Sequence, residues 1–153
     1  MRLASLLTED TIIAELKAAD KVGIITEMVD LMYDQKLITD KGKAVKALLD
    51  REKLGSTGIG NKVAIPHAKH DGIDGLLAVF GKSEVGVDFD AIDGKKVHYI
   101  FLLFASKNEA GMHLKTLARI SRLFKQKDFC NGLKGLSTSK EIIDTIDKAE
   151  QEL

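Results

Sequence analysis

The sequence predicts an α/β sandwich, on three observations. Two stretches with helical apolar spacing open the chain (20–35 and 39–55), and two more close it (111–126 and 138–153). Between them lie short runs rich in Val, Ile, Leu and Phe, bounded by Gly or Asp turns, which read as strands at 62–66, 76–83 and 97–105. The third run, VHYIFLLFA, is apolar on both faces for most of its length, as a mid-sheet strand covered by helices on each side must be. No repeat, low-complexity tract or linker interrupts the order, so residues 1–153 are expected to form one domain whose sheet need not be all parallel.

Each element has a local cause. In 20–35, Asp20 is the expected cap and Val22, Ile25, Val29 and Met32 form the inward stripe, with Gly23 tolerated inside the helix. In 39–55, Thr39 or Asp40 caps, Ala44, Val45, Leu48 and Leu49 face inward, and Gly55 ends the helix, leaving Arg51 in its last turn. After the strands, GMHLKTLARISRLFKQ sets His113, Leu117, Ile120 and Phe124 on one stripe. The last helix starts with a capping box, Thr138 and Glu141, ahead of Ile142, Ile146 and Ala149.

Composition narrows the function classes. A chain of 153 residues can bury roughly two-thirds of its unfolded surface, and 44% apolar with 30% charged residues is the composition of an ordinary globular protein. Twenty-three basic residues balance 23 acidic ones, so no global field favours nucleic acid or an anionic membrane, and any anion site has to be local. Cys130 is the only cysteine, which excludes an internal disulfide or a cysteine-built zinc cage and points to a reducing compartment. The start, MRLASLLTED, meets polar residues too early for a secretory segment, and the longest apolar run, YIFLLFA, is far short of a membrane span. The cytoplasm is the expected location, without membrane insertion.

The stretch GSTGIGNKVAIPHAKH, residues 55–70, carries the chemistry. Gly55 to Gly60 has the G-x-x-x-x-G skeleton of a nucleotide loop, but Asn61 and Lys62 stand where that motif needs Lys and a hydroxyl, and the order is helix, loop, strand. The dinucleotide fingerprint also fails, because Val63 replaces its last glycine. What remains is geometry: Gly58 and Gly60 let backbone N–H groups converge on an anion, with Ser56 and Thr57 adding hydroxyls. A tight helix-to-strand connection is the plain alternative.

His67 lies where an apolar strand runs out, behind Pro66, the only proline, whose fixed φ limits the directions the imidazole can take. Arg51 supplies a fixed cation one turn before the glycine loop. His113 falls in the first turn of a helix, either as a satisfied core histidine or as a partner of His67; the helix dipole there disfavours imidazolium. His67, His70 and Asp71, with His113, also permit a metal-dependent hydrolase reading, although positions three apart on a strand point to different sides. His98 reads as an exposed strand-end residue, and Cys130 has no basic neighbour to activate it.

Three segments together resemble a known family: REKLGSTGIGNKVAIPHAKH, GVDFDAIDGKKVHYIFLLFA and MHLKTLARISRLFK are similar, in order and spacing, to the enzyme IIA domains of the fructose/mannitol type of the phosphoenolpyruvate-dependent sugar phosphotransferase system. The resemblance covers about residues 5 to 150. It implies a three-layer sandwich with a mixed sheet of about five strands, and a phosphocarrier that uses no metal or cofactor. It implies His67 as acceptor of a phosphoryl group from HPr or its nitrogen-related counterpart, His113 as a hydrogen-bond partner of that group, and Arg51 as the charge that stabilises it. REKLGSTGIGN looks most like the nitrogen-related, regulatory branch, which binds target proteins according to phosphorylation state; a sugar-specific IIA that feeds a IIB cysteine is the near alternative. The sequence departs from the family's pattern at Lys62, where many relatives have glycine, and at ASKNEAG, which replaces a proline-containing loop.

Overall fold

The computed structural model describes residues 2–153. Two helices, α1 (Lys21–Asp34) and α2 (Lys41–Lys53), pack on one face of a six-stranded mixed sheet. On the other face lie α3 (Ala110–Phe124), α4 (Lys127–Leu133) and α5 (Ser139–Gln151), with a short 3-10 turn at Leu3–Leu6. The strands are β1 (Ile12–Ile13), β2 (Gly58–Gly60), β3 (Val63–Ala64), β4 (His67–Lys69), β5 (Leu76–Val87) and β6 (Val97–Ala105). Their order is β1-β5-β6-β3-β2, with β4 also on β6; β5 runs antiparallel to β6, while β3 and β4 run parallel to it.

The sandwich follows from the alternation along β6. Tyr99, Phe101 and Leu103 enter the core under α3 to α5, and Ile100, Leu102 and Phe104 enter the core under α1 and α2. Successive side chains of a strand point to opposite faces, so a doubly apolar strand requires helices on both. The expected caps are in place: Asp20 accepts from the Gly23 N–H, Asp40 from the Lys43 N–H, and Thr138 forms its capping box with Glu141.

Several details depart from expectation. Val22 is 55% exposed; the inward stripe of α1 is Ile24, Ile25, Met28, Val29 and Met32, because the helix presents the residues after its first turn to the sheet. The two-residue β1 and the seven-residue α4 are too short to carry a periodic signal and were not expected. The strand runs out before Pro66, as expected, but pairing with β6 is taken up again beyond it. Proline lacks an N–H, so the ladder breaks there, yet the Pro66 carbonyl still accepts from the Leu103 N–H at 3.0 Å and pairing resumes at His67. His98 is half-buried, with Nδ1 2.8 Å from the Ser83 carbonyl, instead of an exposed strand end.

Candidate functional site

His67 opens β4 and pairs with Leu103, whose side chain lies on the α3 face. Paired residues of neighbouring strands point to the same side, so the imidazole emerges beneath the start of α3, where His113 sits in the first turn. The two rings meet edge to face, 5.4 Å between centroids with planes at 81°. Forty-six positions of sequence separation are closed by strand pairing and helix packing.

The proton on His67 is fixed by its surroundings. Nδ1 lies 2.8 Å from the Ile65 carbonyl, which only accepts, so Nδ1 carries the hydrogen and Nε2 holds the lone pair. Burial pulls the His67 pKa below the usual histidine value, with the Arg51 guanidinium acting in the same direction; the Ile65 bond and Glu52 oppose both. His113 is lowered as well, by burial first and then by His67 and Lys69. Its Nε2 is buried with no hydrogen-bond partner among the described residues. A buried polar atom without a partner is unfavourable unless a ligand completes it, and this one belongs to the ring that packs edge to face on His67.

Arg51 is held in the last turn of α2 by donating from Nη1 to the Gly55 carbonyl at 3.0 Å. The glycine loop is locked by Glu52, a carboxylate only 6% exposed. Glu52 accepts from the Thr57 N–H at 3.0 Å and from the Thr57 hydroxyl, and it pairs with Lys21 at 3.2 Å. Ser56 donates its hydroxyl to the Phe89 carbonyl at 2.9 Å and accepts from the Gly58 N–H at 3.1 Å. The hydroxyls of Ser56 and Thr57 and the N–H groups of Gly55, Thr57 and Gly58 are therefore engaged within the protein. Gly58 is needed for contact: a Cβ there would stand 2.8 Å from the Ala91 Cα. Gly60 has φ of +92°, a conformation natural to glycine, as β2 turns toward β3.

The H-x-x-H-D string divides between the two faces. His70 is buried against Phe104, 5.3 Å between ring centroids, on the α1 and α2 side, while His67 faces α3. Asp71 is exposed and pairs with Lys107 at 3.1 Å and Lys43 at 3.5 Å. Among the described residues no group of three or more His, Cys, Asp or Glu is placed to hold a metal ion. Cys130 is half-buried and its thiol is pushed up by burial, away from nucleophile chemistry. Sequence reasoning missed Glu52 and Lys21 as supports of the loop; only the acid next to Arg51 hinted at the first, and nothing local marked the second.

The family model for the phosphoenolpyruvate-dependent sugar phosphotransferase system, EIIA 2, matches residues 5–149. The chain is 32% identical over 151 residues to a fructose-specific EIIABC component of the phosphotransferase system from Bacillus subtilis, covering 99% of this chain and 24% of that protein. It thus spans about a quarter of that relative's length. A nitrogen regulatory protein from Bradyrhizobium diazoefficiens is 32% identical over 147 residues, covering 95% of both chains. Among solved structures, the nitrogen regulatory protein IIA-Ntr from Neisseria meningitidis superposes with a TM-score of 0.87 at 31% identity, covering 94% of this chain and 98% of that one. No helix among the described residues is long and apolar enough to cross a membrane.

Proposed function

We infer from the geometry around His67 that this chain, which belongs to the EIIA 2 family of the phosphoenolpyruvate-dependent sugar phosphotransferase system, is a phosphocarrier whose acceptor atom is Nε2 of His67. One observation carries the assignment: the Ile65 carbonyl holds the hydrogen on Nδ1 and so leaves the lone pair on Nε2, on a ring in edge-to-face contact with His113, whose own Nε2 is unpartnered. The donor is the phosphohistidine of HPr or of its nitrogen-related counterpart. The His67 Nε2 lone pair attacks phosphorus in line, the donor's P–N bond breaks, and the leaving nitrogen keeps the electron pair. The His67 ring then bears the positive charge, shared through Nδ1–H with the Ile65 carbonyl.

Phosphoryl transfer requires alignment and compensation of charge on the three equatorial oxygens, with little further covalent work from the protein. Arg51 supplies the fixed charge and His113 a donor from Nε2. Glu52, Ser56, Thr57, Gly58 and Gly60 hold the loop beside Arg51. The retained charge on the ring keeps the transfer potential high, so the group can move onward.

The carrier is regulatory in type: it binds target proteins according to whether His67 is phosphorylated. Matching a nitrogen regulatory protein over 95% of both lengths supports this reading. The fructose-specific relative supports the second one, in which the group passes to a cysteine of a IIB protein for sugar uptake. Incubation with phosphoenolpyruvate, enzyme I and each HPr type should give an acid-labile phosphohistidine that His67→Ala abolishes. Normal labelling of His67→Ala would overturn the acceptor assignment, and onward transfer to a purified IIB would favour the sugar-specific reading.

A further inference from the structure

The opposite end of the sheet holds a polar cavity that the phosphocarrier role does not use. It measures about 260 Å³ and is lined by Lys62, Lys82, Lys134, His98 and Tyr99, with the exposed Glu84 at its edge. Tyr99 and Leu103, the strand partner of His67, are four residues apart on β6, so the two sites are separated by roughly 13 Å along the strand.

Three features make this a built site instead of a gap between surface side chains. The stem of Lys82 is buried and its head lines the cavity, where no hydrogen bond or ion pair engages the ammonium among the described residues. An ammonium that lines a cavity and has no protein partner is available to an anion there. Lys62 sits at φ of +68°, with Asn61 at +55°, in the two-residue turn between β2 and β3. That left-handed conformation disfavours any side chain, and this turn nevertheless carries a lysine to the cavity wall. His98 has its Nδ1 hydrogen committed to the Ser83 carbonyl, which leaves Nε2 as an acceptor. Three lysines against one glutamate give the cavity a positive balance.

We propose that this cavity binds a small hydroxylated phosphate ester, its phosphoryl group on Lys62, Lys82 and Lys134 and a hydroxyl donating to Nε2 of His98. Lysine ammonium groups suit phosphoryl oxygens, while a ring nitrogen with a lone pair selects a ligand that also carries an O–H. The volume is about that of eight waters, which fits a monosaccharide phosphate better than a nucleotide. The site is independent of His67 and stands whether or not that residue carries phosphate.

Glucose 6-phosphate, glucose and inorganic phosphate, each titrated into the full chain by calorimetry and by amide shift mapping, test this. Glucose 6-phosphate should bind at least about tenfold more tightly than either glucose or inorganic phosphate, with shifts centred on Lys62, Lys82, His98 and Lys134. Lys82→Met and Lys62→Gly should each weaken it about tenfold. Lys62→Gly should do so with an unchanged or higher melting temperature, since glycine relieves the left-handed turn, so a failure to fold cannot imitate the loss. No binding at millimolar concentrations, equal affinity for inorganic phosphate, or shifts centred on His67 and His113 would overturn the proposal.

Discussion

The imidazoles of His67 and His113 meet edge to face at 5.4 Å, one with its Nδ1 hydrogen tied to the Ile65 carbonyl and the other with a buried, unpartnered Nε2. Under the proposed phosphoryl transfer, both rings are already held in place, so little reorganisation is needed. In the proposed phosphocarrier this gives a division of labour, one ring forming the bond and the other donating to the oxygens.

That division predicts unequal effects of substitution. His113→Ala should retain phosphoryl acceptance while slowing transfer by about a hundredfold, the usual loss when one preorganised donor is removed. His113→Gln, which keeps an N–H donor, should recover part of the rate. Rapid-quench measurement of transfer from phospho-HPr distinguishes them, and identical rates for the two variants would show that donation from residue 113 is irrelevant.

Protonation should follow the burial of the pair. Both pKa values lie below the ordinary histidine value of 6.5, so between the folded and unfolded values the unfolded chain binds more protons. The two histidines therefore contribute stability that is present above pH 6.5 and is lost as pH falls through their folded values. Thermal unfolding should show a melting temperature declining below that pH, less steeply in His113→Ala. Phosphorylation of His67 should raise the His113 pKa, because a dianion favours imidazolium, and a ring-proton NMR titration before and after labelling reads the change directly.

Glu52 should matter for folding more than its place beside Arg51 suggests. Its carboxylate joins Lys21 and both donors of Thr57 in a nearly buried cluster. Glu52→Ala strands those groups and should destabilise the protein by about 3 kcal/mol, whereas Glu52→Gln, which still accepts from the Thr57 N–H, should lose less. Urea unfolding provides the comparison, and slower phosphoryl acceptance is expected alongside, as the loop that places Arg51 loosens.

Two glycine-to-alanine changes should differ in sign. Gly58→Ala puts a methyl 2.8 Å from the Ala91 backbone and should cost about 1–3 kcal/mol. Gly111→Ala meets nothing within 4 Å in the first turn of α3 and should stabilise by about 0.5–1 kcal/mol. Calorimetric melting of both variants checks the pair.

Local chemistry by itself determined much of this protein. The caps Asp20, Asp40 and Thr138, the apolar spacing of α1, α2, α3 and α5 and the doubly apolar β6 all act within a few residues, so the helices, the central strand and the sandwich were legible along the chain. The proline beside His67 and the arginine before the glycine loop were visible for the same reason. Tertiary structure alone decided which polar groups meet. Ladder pairing to Leu103 turned His67 toward His113 and left His70 against Phe104 on the other face. Hydrogen bonding across the loop committed Ser56 to Phe89 and Thr57 to Glu52. The pairing of β5 with β6 set Lys82 and His98 around one cavity with Lys62. Side-chain periodicity is a property of one segment, whereas the convergence of two segments depends on strand register and layer packing, which the spacing of residues along a single chain does not encode.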